Sequence, residues 1–303
     1  MQILITGGTG FIGQKLCAHL AKNGHKIIIL SRRPDRVPCH FQAISSLDEI
    51  RNHTQIDLII NLAGAPIAQR WSKRYKAILY DSRIQTTAEI YTLVKRLKKK
   101  PEMLLSASAI GYYGSDTDNK TYHEDSHHNE GFTHALCNAW EKEAMRLNKL
   151  DVPVAILRFG VVLGPQGGML KKTLPVFRMG LGGQIGTGKQ LMSWIHIDDV
   201  IGAIDHIVDR ALNGTFNLTS PNPVTNTEFS LCLSTALNKP CFFDLPAPLV
   251  KILFGEMGET LLLKGQNVFP KRLSDSGFNF KYARLKESID EIINSPDGGT
   301  DDF

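Results

Sequence analysis

The chain opens Met1-Gln-Ile-Leu-Ile-Thr-Gly-Gly-Thr-Gly-Phe-Ile-Gly13, and this stretch decides the fold. Ile3 to Ile5 is a short apolar run that reads as a buried strand. From Phe11 to Asn23 the pattern changes. Ile12, Leu16 and Leu20 recur every four residues, the spacing of one helix face, and Asn23-Gly24 stops the helix. A glycine pattern alone is weak evidence. Placed between a strand and the helix it opens, it marks a dinucleotide phosphate site. Gly7 permits the tight turn, Gly10 lets the backbone approach a pyrophosphate, and Gly13 lets helix and strand pack closely. The helix start adds free N–H groups and the positive end of its dipole. Thr9, Phe11 and Ile12 complete this expected cofactor stretch.

The same alternation continues. Ile27–Leu30, Leu58–Leu62, Met103–Ser106 and Val154–Arg158 read as buried strands, with helices from about Ser72 to Lys99 and Thr133 to Leu147. Continuous apolar strands separated by helices imply a parallel sheet covered on both faces. Right-handed crossovers make it a doubly wound α/β sheet of the Rossmann type. Periodicity thins after Gly160, glycines crowd between Gly164 and Gly188, and prolines 221, 223, 240, 246 and 248 punctuate the rest. The expected division is therefore a dinucleotide-binding Rossmann domain at 1–160, to which 194–218 returns. A smaller C-terminal substrate lobe takes 161–193 and 219–303. Ser295 to Phe303 reads as a frayed tail.

Composition narrows the class. The 303 residues are 42 % hydrophobic, enough for a sizeable core. No apolar stretch reaches the roughly 18–20 residues a membrane span needs, and the N-terminus lacks the basic leader of a signal peptide. A cytoplasmic protein without a membrane partner is the expectation. The five cysteines are scattered with no CxxC pair, which argues against disulfides and against a zinc site; no metal is expected. Lys95-Arg96-Leu97-Lys98-Lys99-Lys100 is the one dense basic run, and it stops at Pro101. It reads as a helix C-terminus, where cations oppose the dipole, and not as a nucleic-acid surface, because no aromatic residue interleaves it.

The end of the second strand selects the cofactor. An Asp or Glu there would bind the 2′-hydroxyl of NAD. This chain has Ser31-Arg32-Arg33, a hydroxyl and cations suited to a 2′-phosphate, so NADP(H) is expected. Solvated surface arginines are the alternative.

These residues resemble the extended short-chain dehydrogenase/reductase family. Besides the glycine stretch, Asn61-Leu-Ala-Gly64 is similar to its segment beside the adenosine ribose. Trp194-Ile-His-Ile-Asp-Asp199 is similar to a segment of sugar-nucleotide epimerases, and Arg158-Phe-Gly-Val-Val-Leu-Gly-Pro165 to the strand and loop covering the nicotinamide. Ser106-Ala-Ser-Ala-Ile-Gly-Tyr-Tyr-Gly114, Cys137-Asn-Ala-Trp-Glu141, Gly182-Gly-Gln-Ile-Gly-Thr-Gly188 and Gly265-Gln-Asn-Val-Phe-Pro270 resemble its atypical, epimerase-like branch, which carries its own C-terminal segment, here about 245–293. The resemblance implies an epimerase-like oxidoreductase acting on a small substrate, such as a nucleotide sugar. It also implies cofactor contacts from Ser31, Arg32, Leu62, Ala63, Gly64, Arg83 and Gly160, and a homodimer is compatible with it.

Enzymes of that family use a Ser and a Tyr-x-x-x-Lys pair: the Tyr moves the proton, and the Lys lowers its pKa and holds the ribose. Ser108 is the counterpart of the Ser. If Glu141 matches the glutamate that follows the Lys by four, the Lys position holds Cys137 and the Tyr position Thr133. Tyr113 is then the substitute acid/base to test, with Tyr112 and His196 behind it, and a packing or gating role is its alternative. The missing pair also leaves open a non-catalytic NADP(H)-binding protein that reports redox state. Gly183 to Lys189 nearly matches a P-loop but is followed by Gln190 in place of Ser or Thr. It reads instead as the wall of a substrate cleft, whose Lys189 could meet an anion. His123, His127, His128 and His134 match no metal spacing and read as a loop near the cleft mouth. Cys137 reads as buried.

Overall fold

Alternate residues of the first strand serve two different cores. The computed structural model describes residues 1–115, 120–165 and 167–295. Strand β1 (Gln2–Thr6) leads into α1 (Phe11–Lys22), β2 (Lys26–Leu30) and β3 (Gln42–Ile44). Next come β4 (Leu58–Asn61), α2 (Lys73–Arg96), β5 (Met103–Ala109) and β6 (Thr121–Tyr122). Helix α3 (Phe132–Met145), β7 (Val154–Phe159), β8 (Val161–Leu163) and α4 (Leu170–Arg178) follow. The chain continues through β9 (Leu191–Met192), β10 (Trp194–His196), α5 (Ile197–Asp209), β11 (Gly214–Leu218) and β12 (Val224–Thr225). It ends with α6 (Asn226–Ala236), α7 (Ala247–Leu261), β13 (Asn267–Val268), α8 (Lys271–Asp275) and α9 (Leu285–Asn294).

Seven strands form one sheet in the order β11-β7-β5-β4-β1-β2-β3, and every pairing is parallel. Side chains alternate across a strand, so the two faces fill separately. Ile3, Ile5, Ile29, Leu58 and Ile60 pack with Leu16 of α1 and with Val200 and Ile204 of α5. Leu4, Ile28, Ile59, Leu104 and Ile156 pack with Ile90, Leu93 and Val94 of α2 on the other face. This is the doubly wound Rossmann-type sheet. Its strand order reverses between β1 and β4, and the crevice beyond their C-terminal ends is where such sheets bind ligands.

Several element bounds differ from the sequence expectation by one to three residues, and strand β3 is new. Helix α2 stops at Arg96, not Lys99, because Leu97 turns into an extended conformation and buries its side chain. The basic run then closes the helix end: the Lys100 ammonium donates to the carbonyls of Val94, Lys95 and Leu97 at 2.8–3.0 Å. Strand β3 was not expected at all. It has three residues on the sheet edge, too few for any period to register.

A further core joins distant segments. Leu170, Leu174 and Phe177 of α4 meet Trp194, Phe229 and Leu233 of α6, and Ile289 and Ile292 of α9. The C-terminal helices thus build a smaller second body against the sheet. Residues 296–303, which include nearly all of the expected tail, lie outside the described residues.

Candidate active site

The glycine turn is shaped by close contacts that a Cβ would violate. Gly7 has φ +71°, and a Cβ there would lie 2.6 Å from the Leu62 carbonyl oxygen. At Gly13 a Cβ would come within 2.2 Å of the Gly7 carbonyl oxygen. Gly10 caps α1 without a side-chain hydrogen bond, and the first turn holds no acidic residue. The amides there remain available to an anion. Thr9 and Gly10 are exposed, while Phe11 and Ile12 are half-buried. The Phe11 ring lies against Gly164, Gly167 and Gly168 of the loop after β8, where a Cβ on Gly167 would fall 1.9 Å from the ring.

Neighbouring strand ends complete the crevice. Thr6 donates to the Asn61 side chain at 2.6 Å, and Asn61 donates to Thr87 at 2.9 Å, which fixes the end of β4. Leu62, Ala63 and Gly64 leave from there. The Arg83 guanidinium underlies Gly64, where a Cβ would lie 3.0 Å from its central carbon. Arg83 donates to the Leu79 and Ala65 carbonyls at 3.1 and 3.0 Å and sits 5.1 Å over the Trp140 ring. At the end of β2, Ser31 is buried and its hydroxyl accepts from the Arg33 amide at 3.2 Å. Arg32 and Arg33 are exposed, and among the described residues neither pairs with a carboxylate. Gly160 marks the passage from β7 to β8, with its amide on the Leu218 carbonyl and no room for a Cβ beside Ser193.

The two expected catalytic hydroxyls meet in one buried chain of hydrogen bonds. Ser108 is 2 % exposed and donates to Glu141 at 2.6 Å. Glu141 receives the Arg158 guanidinium at two points, each 2.8 Å. Arg158 donates to the Tyr113 hydroxyl at 3.0 Å, and that hydroxyl donates to the Asn217 side-chain oxygen at 2.8 Å. Tyr113 is fully buried, and burial pushes its pKa up to about 12. This geometry favours the packing alternative for Tyr113: its side chain is buried and its hydroxyl already makes two hydrogen bonds. Sequence reasoning missed Arg158 and Asn217, and used Glu141 only to set register. The Arg158–Glu141 pairing had a signal, a charged residue inside an apolar strand.

The positions matched to the family's Tyr and Lys hold Thr133 and Cys137. Thr133 and Cys137 are both buried, and they face Gly111, where a Cβ would lie 3.2 Å from the Thr133 Cβ and 3.6 Å from the Cys137 sulfur. Burial pushes the Cys137 thiol up to about 12, so the buried reading describes it. The nearby cation is Arg83 on α2, whose charge is coupled to Cys137.

His196 and the segment after it hold the second body to the sheet. Its Nδ1 accepts from the Asp198 amide at 3.1 Å and its Nε2 donates to Glu291 of α9 at 2.9 Å. Asp199 accepts from the amides of Lys281 and Tyr282 at 2.7 and 3.0 Å. His196, Asp198 and Glu291 are the one group among the described residues close enough to share a metal ion, yet both ring nitrogens of His196 are engaged. His134 stacks on His128 with centroids 3.6 Å apart, and its Nδ1 donates to the Tyr112 carbonyl. The segment 182–188 is not a P-loop. It runs beside 241–245 through bridges at Gly182–Cys241 and Ile185–Leu245 and opens no helix.

Comparison with known proteins bears on this geometry. The model of the NAD dependent epimerase/dehydratase family matches residues 3–219, and a domain of unknown function (DUF1731) matches 245–292. The chain is 36 % identical to the Epimerase family protein SDR39U1 homolog, chloroplastic, of Arabidopsis thaliana, over 97 % of this chain and 87 % of that protein. It is 36 % identical to the Epimerase family protein YfhF of Bacillus subtilis, over 97 % and 98 %. The crystal structure of human epimerase family protein SDR39U1 (isoform 2) with NADPH superposes with a TM-score of 0.90 at 32 % identity, covering 98 % of this chain and 100 % of that one. Among the described residues no helix is long and apolar enough to cross a membrane.

Proposed function

The chain belongs to the NAD dependent epimerase/dehydratase family, and from that premise we propose an NADP(H)-dependent, epimerase-like oxidoreductase acting on a small substrate. The observation that carries the cofactor choice is Ser31-Arg32-Arg33 at the end of β2: two exposed arginines, without a carboxylate partner among the described residues, stand where an NAD site needs a carboxylate. The NADPH in the human relative's structure supports the same choice. Gly7, Thr9, Gly10, Phe11, Ile12 and Gly13 would cradle the pyrophosphate, and Ser31 and Arg32 the 2′-phosphate. Leu62, Ala63, Gly64, Arg83 and Gly160 would line the rest. The bound nucleotide supplies or accepts a hydride. The chain supplies orientation: Arg83 holds a positive charge beside Cys137, and the Ser108–Glu141–Arg158–Tyr113 network fixes the end of β5. We take residues 1–160 with 194–218 as the nucleotide-binding unit, and 161–193 with 219–303 as the substrate lobe. The same reading puts the protein in the cytoplasm, with the exposed face of α2 free for a homodimer.

A second reading has its own observation. With Thr133 and Cys137 at the Tyr and Lys positions, hydride transfer would forgo an acid/base usually worth roughly 10²–10⁴-fold. The rival is an NADP(H)-binding protein that reports redox state without turnover. Purified protein with NADPH and a panel of carbonyl compounds, phosphorylated and unphosphorylated, separates the two. Consumption of NADPH supports the enzyme; tight NADPH binding with no consumption across the panel supports the rival.

A further inference from the structure

Helix α7 is not continuous. Gly255 has φ +60° and ψ −143°, so Ala247–Leu261 is two helical pieces joined at one glycine. Both ends of this bent arm are held by the second body. Before it, Leu245 bridges Ile185, and its amide donates to the Gln184 carbonyl at 2.8 Å. After it, the Leu262 carbonyl accepts from the Gln190 side chain at 2.9 Å. The bend itself reaches across to the sheet side. There Met257 is buried and packs, with Phe254, against Trp71, Leu79 of α2 and Leu136 of α3. Lys76 of α2 donates to both carboxylate oxygens of Glu256 at 2.7 Å, and its ammonium stands 4.5 Å over the Phe132 ring. A Cβ on Gly255 would lie 3.5 Å from the Arg70 Nε.

What the bend touches is the segment 65–71, which continues directly from Leu62-Ala63-Gly64 and has no helix or strand of its own. Its carbonyls are tied one by one. The Tyr75 hydroxyl donates to Pro66 at 2.6 Å and the Trp71 indole to Ile67 at 3.0 Å. The Lys172 ammonium of α4 donates to Ala68 at 3.1 Å. Ala65 and Ile67 pack in the same small core as Met257. The second body thus grips the segment through α4 and through the bend of α7. The second grip is weak. Lys76 and Glu256 are partly exposed, at 28 % and 49 % of their side chains, and an ion pair so exposed supplies a bias of only about two- to fivefold. A glycine between two rigid pieces, a small apolar plug and one weak ion pair are the parts of a joint that opens readily.

We propose that the bend of α7 is a latch: while Lys76 holds Glu256, the second body clamps residues 65–71 and the Leu62–Gly64 turn behind them, and its release admits and frees the nucleotide. This gives a task to the stretch 245–292, matched above to a domain of unknown function. That the gated ligand is NADP(H) rests on the reading above; the latch itself does not. The test uses the full chain and the variants Glu256→Gln, Lys76→Gln and the two combined. Stopped-flow mixing with NADPH reads entry, and displacement of bound NADPH by excess NADP⁺ reads exit. Neither side chain belongs to the cofactor set, so the latch changes both rates and not their ratio. The expected result is entry and exit each about two- to fivefold faster in either single variant, an unchanged Kd, and a double variant no faster than the faster single. Amide exchange reads the latch without nucleotide. The Ala65, Gln69 and Ser72 amides, hydrogen-bonded to Ser82, Ile67 and Arg70, should exchange faster in both single variants, while those of Ile3 to Ile5 stay as in wild type. Unchanged exchange at those three amides in both variants would overturn the latch, whether or not NADPH binds. Unchanged entry and exit, or a weaker Kd with entry unaltered, would overturn the gating. Faster exchange in the variants of a protein that binds no NADPH would fail the cofactor reading alone and leave the latch standing.

Discussion

Arg158 and Glu141 grip each other at two points inside the protein, Nε to Oε1 and Nη2 to Oε2, both at 2.8 Å. Their side chains are 4 % and 10 % exposed. The pair connects β7 to α3, and Ser108 and Tyr113 hang from its two sides. Removing one member of such a pair strands the other charge in a dry site, which costs about 3–5 kcal/mol. Glu141→Ala and Arg158→Ala are therefore expected to be strongly destabilised in urea unfolding. The apolar double variant Glu141→Leu/Arg158→Met should lose less than the sum of the two. A single variant within about 0.5 kcal/mol of wild type would show that the pair carries no such weight.

Tyr113 provides a pH test with a definite sign. Its folded pKa is near 12 against about 10 in the unfolded chain, so the folded state holds its proton longer. The stability this contributes is complete below pH 10 and is lost as pH rises from 10 toward 12, by about 2 kcal/mol. Unfolding followed across that range should show a shallower alkaline loss in Tyr113→Phe than in wild type. The same variant should bind NADPH as wild type does, because the ring sits in the buried network and not in the crevice. A tenfold loss of NADPH affinity in Tyr113→Phe would place the hydroxyl in the cofactor site after all.

The glycine turn separates folding from binding. A Cβ at Gly10 would approach the Gly7 carbonyl oxygen to 3.2 Å, a contact that small shifts relieve, whereas at Gly13 it would reach 2.2 Å. Gly10→Ala should fold with near-normal stability and lose at least about tenfold in NADPH affinity, because its Cβ stands where the pyrophosphate approaches. Gly13→Ala should lose roughly 1–3 kcal/mol of stability as well. Melting curves and nucleotide titration on the same samples check both. Undiminished NADPH binding by Gly10→Ala would remove the pyrophosphate from this turn.

The first half of the chain was legible because its signals are local. Ile27 to Ile29 and Leu58 to Ile60 are buried on both faces, so they read as unbroken apolar runs, and Gly7 and Gly13 lie at the strand and helix ends where only glycine fits. Ser31-Arg32 is legible for the same reason, being fixed by the strand before it. The buried network was not legible. Tyr113 meets a partner 104 residues away in Asn217, and a tyrosine after a strand looks the same whether it faces a cleft or a core. The second body was legible only in outline. Its core combines α4, α6 and α9, which are far apart in sequence.

The central claim is that Arg32 and its neighbours select NADP(H), and calorimetric titration tests it most directly. Protein stripped of nucleotide would be titrated with NADPH and with NADH, and the pair repeated on Arg32→Ala. The account predicts tight NADPH binding, weak NADH binding, and a loss of about 10–100-fold for NADPH alone in the variant. Equal affinity for the two nucleotides in wild type, or an Arg32→Ala variant that still prefers NADPH as strongly, would contradict it.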